Sequence, residues 1–307
     1  MTLQQLEYII AVDAHRHFQR AADSCGISQS TLSTQIRKLE EELDIVIFDR
    51  NNFPVRPTIS GEQIIHQAKV ILYHSKQLHE MSLDERKRAS GHVRLGISPT
   101  ISPYIIPKLF RYIDAMPDVT MDASEPLRDK LIRQLKNADI DMAIMSLVEK
   151  DTDFLEVPLY HEKFLAYVSP NDPLYKEKTI NSSNMPTDRL WALKNELCYQ
   201  QQVMEFYDQE SQHSSRYAAG NLATLIRIVN ENSGFTIIPE LHIPMLHTHD
   251  LIKIRPLVDP VPIREVSIFV RRDFVREKLL NIIIDGIKTI IPSSMLNERI
   301  TKFQVRL

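Results

Sequence analysis

Cysteine is nearly absent from this chain. Its 307 residues hold two, Cys25 and Cys198, too few and too far apart in sequence for a disulfide framework. Glycine is scarce too. Among the seven present there is no phosphate-cradling Walker loop and no dinucleotide fingerprint, and no serine stands on a nucleophile-elbow motif. The sequence therefore reads as a non-enzyme that needs no cofactor. No apolar run approaches the roughly 18 residues of a membrane span, and Glu7 falls where a signal peptide would be apolar. A cytoplasmic protein that touches no membrane is expected. Excess positive charge is missing as well: the net charge is −3, with 43% hydrophobic and 25% charged residues, ordinary globular usage with room for about two domains.

What is present begins at Ser28. Leu32, Ile36, Leu39 and Leu43 recur at four, three and four residues, one apolar stripe of a helix that Ser28 can cap. The opposite face holds Gln29, Ser30, Ser33, Thr34 and Arg37, short hydrogen-bonding groups and one cation that suit base edges and phosphates, and Thr31 and Lys38 on the same helix join them as DNA-binding candidates. Upstream, Phe18–Cys25 reads as a shorter helix carrying Arg20, and Gly26-Ile27 as a turn. Helix, tight turn and polar-faced helix is the layout of a helix-turn-helix. The same pattern also describes an ordinary surface hairpin of helices.

Charge alone argues against DNA here, because residues 1–60 carry six Lys/Arg and eight Asp/Glu. Distribution argues for it. Four of the acids cluster at Glu40–Asp44, one end of the long helix, and phosphate contact needs a local patch, not a basic average.

Around this hairpin, Leu3–Val12 reads as an apolar covering helix. Ile45–Phe48 reads as a strand, Asn51–Pro54 as a turn and Val55–Pro57 as the returning strand. That makes residues 1–58 a winged helix-turn-helix, with Arg50 and Arg56 on the wing able to reach phosphate or the minor groove. Thr58 caps a long helix to about Arg88, where Ile64, Ala68, Ile71, Ser75 and Leu78 alternate at four and three. This is a coiled-coil seam, so residues 59–90 are expected to dimerise the chain and set two reading heads on one duplex.

From Gly91 the pattern changes. Val93, Leu95 and Ile97 alternate as a strand, and Ser102-Pro103 opens a helix directly after it, a place where anions or small ligands bind. Strands are read at Asp141–Met145, Leu155–Leu159, Phe164–Val168, Leu190–Leu193, Phe235–Ile238 and Val266–Val270. Helices are read at Leu127–Lys136, Leu222–Asn230 and Lys278–Ile291. The alternation implies an α/β regulatory domain over residues 91–307, with parallel sheets in two lobes around a ligand cleft. His242, His247, His249 and Asp250 fall in a proline-containing stretch with no matching ligand elsewhere. They read as a solvated loop and not as a metal site.

His15–Cys25, Ser28–Ser33 and Gln35–Glu40 together resemble the LysR-type transcriptional regulators, and within them the peroxide-responsive, OxyR-like members. The resemblance extends through Ser98-Pro99-Thr100, Glu156–Leu159, the region of Cys198, and Ser233–Pro239, to about Ile291. It implies a winged helix-turn-helix, a dimerising linker helix and a two-lobed regulatory domain like a periplasmic binding protein. It further implies homodimers and homotetramers that bend double-stranded operator DNA and work with RNA polymerase. One departure is Asp44, where the family usually has glycine, which speaks against a tight helix ending there.

The sensor chemistry departs further. In OxyR-like members a peroxide-reactive cysteine forms a disulfide with a second cysteine nine residues later. Cys198 matches the first, whereas the second position is Tyr207 and the residue before Cys198 is Leu197. Arg128 stands where a threonine is usual, while Thr100 matches a peroxide-holding hydroxyl and Arg264 a thiolate-stabilising arginine. Cys198 is therefore expected to sense oxidants, if it does, as a sulfenic acid capped by an external thiol. A small buried hydrophobe is the bland alternative. The other regulatory reading is a small ligand held by Thr100, Ser102 and Arg264.

Overall fold

The computed structural model describes residues 1–50, 53–84, 90–146, 152–191 and 222–297; Cys198, Tyr207 and the expected strand end at Ala192-Leu193 lie outside them. The chain divides into two compact units, one formed by Met1–Lys87 with Asn137–Asp139, the other by Arg88–Lys136 with Ile140–Leu307.

In the first unit, α1 (Leu3–His15) opens on a capping box between Thr2 and Gln5. Helix α2 (Phe18–Ser24) is capped by His17, whose Nδ1 accepts from the Gln19 amide at 3.2 Å. Gly26 makes the turn with φ +67°, and α3 (Gln29–Leu43) starts at Ser28, whose hydroxyl accepts from the Thr31 amide. Leu32, Ile36 and Leu39 are fully buried against Leu6, Ile9, Val12, Ala21 and Ala22, so the apolar stripe faces the core as its spacing demands. Asp44 ends α3 in the left-handed region, φ 51° and ψ 40°, so the tight ending survives without glycine. Asp44→Gly should therefore stabilise the first unit by roughly 0.5–1 kcal/mol, the strain relieved less the added unfolded-state freedom. A thermal midpoint that does not rise would contradict this.

The wing differs in detail from expectation. Ile45–Ile47 is not strand; the ladder is only β1 (Phe48–Asp49) against β2 (Arg56–Pro57), antiparallel. The reason lies in Glu40, whose Oε1 accepts from the amides of Ile47 at 2.8 Å and Phe48 at 3.2 Å. With the Ile45 amide donating to the Glu40 carbonyl at 3.0 Å and the Ile47 amide to its side chain, the segment before Phe48 has its donors engaged with α3 and not with a neighbouring strand. Thr58 caps α4 (Ile59–Asp84) by accepting from the Gly61 amide at 2.9 Å. Position 61 must be glycine for close approach, since a Cβ there would stand 2.0 Å from the Ile47 carbonyl oxygen.

The seam of α4 is split. Ile65 and Ala68 are buried in the core of the winged unit, with Ile64 and Leu72 packed against it. Ile71 (38% exposed) and Leu78 (72% exposed) stay in water. The small winged unit thus covers the first turns of α4 after all, and only the later part of the stripe is open.

The second unit is a mixed sheet with helices on it, not the purely parallel one expected. Its path is β4 (Val119–Ser124), β3 (Gly91–Ile97), β5 (Met142–Met145), β10 (Ile263–Arg271), β6 (Phe154–Val168), β9 (Ile254–Val258) and β7 (Ile180–Asn181), with β8 (Phe235–Pro239) on β6. Pairs β3–β4, β3–β5 and β7–β9 are parallel; those made by β6 and β10 are antiparallel. Strand β6 fuses the two segments read separately as Leu155–Leu159 and Phe164–Val168. Leu190 makes a single bridge to Phe235. Helices α5 (Ser102–Asp114), α6 (Arg128–Lys136), α7 (Leu222–Glu231) and α8 (Glu277–Ile290) match expectation. Strands β4, β7 and β9 were not anticipated.

Two of the buried clusters of this unit lie along one strand. Leu131, Leu135, Met145, Phe154 and Phe269 form one; Phe164, Tyr167, Leu225, Val229, Phe235 and Ile238 belong to the other, and the 15 residues of β6 contribute to both. Among the described residues no helix is long and apolar enough to cross a membrane, and no cluster could hold a metal ion. The histidine-bearing stretch is not a solvated loop throughout. It forms two 3-10 turns, Glu240–Met245 and Thr248–Lys253, with His242 and Asp250 buried.

Candidate nucleic-acid interface

The face of α3 opposite its core stripe is open. Gln29, Ser30, Thr31, Thr34, Arg37 and Lys38 are exposed and Ser33 is half-buried. Ser28 is exposed too, but its hydroxyl is engaged, with Ser30 Oγ at 2.9 Å and Thr31 Oγ1 at 2.8 Å besides its capping bond. Among the described residues no carboxylate pairs with Arg20, Arg37, Lys38 or Arg56, all four of them exposed. Local positive charge therefore sits on α2, α3 and β2 although the unit as a whole is acidic, and three of its acids are matched by other cations. Glu40 binds Arg50, Asp13 binds Arg16 at 2.8 Å, and Glu42 binds the N-terminal ammonium.

Arg50 differs from the other expected phosphate ligands. Its Nη2 lies 2.8 Å from Glu40 Oε2, its guanidinium 5.3 Å from the centre of the Phe18 ring, and its Nη1 donates to Ser33 Oγ at 3.4 Å. It joins the wing to α2 and α3, and its charge is matched. Glu40, read from the sequence only as one of an acid cluster, is the residue that organises this join. A carboxylate one helical turn past Ile36, on the border of the apolar stripe, was the available signal.

In the second unit the sequence singled out Thr100, Ser102 and Arg264, all buried. The structure brings Thr100 and Arg264 together: Nη1 donates to Thr100 Oγ1 at 3.0 Å and Nη2 to the Thr100 carbonyl at 3.2 Å. Glu162, which the sequence reading passed over, faces the same guanidinium, with Nε donating to Oε1 at 2.8 Å. Tyr104 completes the group, accepting from Arg264 Nη2 at 2.6 Å and donating to Glu162 at 2.9 Å. Burial works against the Arg264 charge, but Glu162 more than compensates and holds its pKa above the ordinary value. Burial likewise pushes the phenols of Tyr104 and Tyr160 well up. Ser102, expected to open α5, is its first residue and not its cap. Ile101 holds that position without a side-chain bond, and the Ser102 hydroxyl donates to Glu125 at 2.6 Å. Arg128 is half-buried at the start of α6.

Residues 3–62 match the bacterial regulatory helix-turn-helix proteins of the lysR family, and residues 86–289 match the LysR substrate binding domain. The chain belongs to the LysR family. Its members are transcription regulators rather than enzymes, and a DNA-binding regulator is the activity that this fold and helix-turn-helix carry. The hydrogen peroxide-inducible genes activator of Haemophilus influenzae is 33% identical over 88% of this chain and 91% of its own. The DNA-binding transcriptional dual regulator OxyR of Escherichia coli is 32% identical over 88% and 90%. Among solved structures, a full-length OxyR variant from Pseudomonas aeruginosa superposes with a TM-score of 0.82 at 27% identity, covering 97% of this chain and 98% of that one. The OxyR-like reading of the sequence is thus shown.

One buried titratable group of this LysR regulatory unit makes a pH prediction. Burial lowers the His242 pKa from 6.5 to about 4. Between those values the unfolded chain binds a proton that the folded one refuses, so stability is lost as pH falls from 6.5 towards 4. The loss should reach about 3 kcal/mol relative to His242→Gln over that window. Urea unfolding at a series of pH values checks it, and parallel curves for the two proteins would contradict it.

Proposed function

We propose that the chain is a peroxide-responsive regulator that reads an operator through α3 and senses oxidant at Cys198 without an intramolecular disulfide. The observation that carries the DNA half is the two-sidedness of α3: Leu32, Ile36 and Leu39 are sealed in the core while Gln29, Ser30, Thr31, Thr34, Arg37 and Lys38 face outward. In this reading Gln29, Ser33, Thr34 and Arg37 address base edges. Arg20, Ser28, Ser30, Thr31, Lys38 and Arg56 address the backbone, and Arg50 holds the wing in place for them. Residues 1–58 are the DNA-binding head, 59–90 the dimerising linker, with Ile71 and Leu78 its open apolar positions, and 91–307 the regulatory domain. Homodimers, homotetramers, contact with RNA polymerase and a cytoplasmic location complete the proposal.

Support for the oxidant comes from relatives named as hydrogen peroxide-inducible activators. The Cys198 thiolate would attack one peroxide oxygen, breaking the O–O bond to give a sulfenic acid and release hydroxide, and an external thiol such as glutathione would then condense with it to a mixed disulfide and release water. A disulfide nine residues on is ruled out by Tyr207. The hydroxyls of Thr100 and Ser102 and the guanidinium of Arg264 are bonded to one another's elements, to Glu125 and to Glu162. For that reason the switch is assigned to Cys198 and not to an anion at Thr100, Ser102 and Arg264. A footprint with the purified protein, reduced and then peroxide-treated, tests both halves. A defined footprint that changes on oxidation, and does not change in Cys198→Ser, is expected. No sequence-dependent protection would overturn the DNA half; an oxidation response retained in Cys198→Ser would overturn the sensor half.

A further inference from the structure

The wing ends in a residue that DNA contact through cations does not explain. Phe53 is 84% exposed, while the neighbouring Val55 is buried in the core of the winged unit. The ring of Phe53 stands edge-on to His17, with centroids 5.9 Å apart and planes at 79°. His17 is itself fixed, because its Nδ1 caps α2. The Val55 amide donates to the Arg16 carbonyl at 3.1 Å, which ties the chain two residues past the ring to the end of α1. A large apolar side chain is thus held out in water, with one edge on His17, on a hairpin whose return strand carries the exposed Arg56. Arg50 links the same wing to Ser33 of α3, so the wing that carries the ring is tied to that helix.

We propose that Phe53 is an apolar wedge that enters the minor groove beside the stretch read by α3, partly unstacks one base step and bends the duplex there. An aromatic ring left in water gains by burial. The narrow groove supplies apolar sugar walls and a stack that such rings part, and Arg56, exposed three residues further along the same wing, matches the phosphates flanking the groove. The proposal rests on the DNA-binding reading and assigns one class of occupant, double-stranded DNA.

The test uses the full chain and a duplex enriched from random sequence by the wild-type protein, with 2-aminopurine placed at successive steps and a dye pair at the ends. Wild type is expected to raise fluorescence at one step outside the α3 contact and to shorten the end-to-end distance. Phe53→Ala should abolish both signals and weaken binding by about tenfold while melting close to the wild-type temperature, since the ring is 84% exposed and lies outside the core of the unit. Phe53→Trp should keep both signals. Phe53→Arg should recover affinity without the fluorescence, which separates a wedge from a phosphate contact. Unchanged fluorescence and bend in Phe53→Ala would overturn the wedge. So would a weakened dimer in sedimentation with both DNA signals intact, which would place the ring against a second copy of the chain. Failure of the wild type to enrich any duplex would instead overturn the DNA-binding reading on which the wedge rests.

Discussion

Glu162→Gln should cost the regulatory unit about 3–5 kcal/mol of stability, the usual result of leaving one member of a buried ion pair uncompensated. Glu162 and Arg264 are both almost fully buried, and their closest approach is 2.6 Å. The amide of glutamine can still accept a hydrogen bond, but it cannot match the guanidinium charge. Thr100 and Tyr104 offer only neutral oxygen to Arg264. Arg264→Met should be similarly harmful, since it strands the carboxylate. The double variant should recover much of the loss, because a neutral pair of similar volume asks for no desolvation of charge. Urea denaturation of all four proteins gives the coupling energy directly. A loss below about 1 kcal/mol for Glu162→Gln, or strict additivity of the two changes, would show that the pair is not the electrostatic centre of this unit.

The second large effect concerns DNA. Arg37→Ala should cost about 1–3 kcal/mol of discrimination between the preferred duplex and random sequence, with little change in random binding. Arg56→Ala should weaken both duplexes alike and shallow the salt dependence by about one unit of slope. Both residues are exposed and without a carboxylate partner among the described residues, but Arg37 lies on α3 and Arg56 on β2. Arg50→Ala should resemble neither, because its matched charge serves the join to Glu40 and Phe18. Titration against the two duplexes over a range of salt separates the three cases, and equal loss on both duplexes for Arg37→Ala would contradict the assignment.

How far the sequence revealed this depends on how local each signal was. The spacing of Leu32, Ile36 and Leu39 is a property of one helix, and it placed both faces of α3 correctly. The buried pair hid a strand for the same physical reason that makes it important. Glu162 breaks the apolar run between Leu159 and Phe164, so β6 read as two pieces, yet its charge is tolerated only because Arg264 arrives from β10, 102 residues later. Glu40 was misread alike: as a sequence feature it is one acid of a cluster, and only the fold brings the Ile47 and Phe48 amides to it. The antiparallel pairings of β6 and β10 and the short edge strands escaped because their partners lie far along the chain, where periodicity says nothing. Thr100 and Arg264 were named together on the strength of the family resemblance, and the geometry joins them at 3.0 Å.

The central claim is that the outward side of α3 chooses the DNA sequence. The most direct measurement is selection from random duplexes by the wild-type chain and by a Gln29→Ala/Ser33→Ala/Thr34→Ala variant, both folded by circular dichroism. These side chains are outside the core, so the variant should bind random duplex as before and lose the wild type's enriched motif. Enrichment of the same motif by both proteins would contradict the claim.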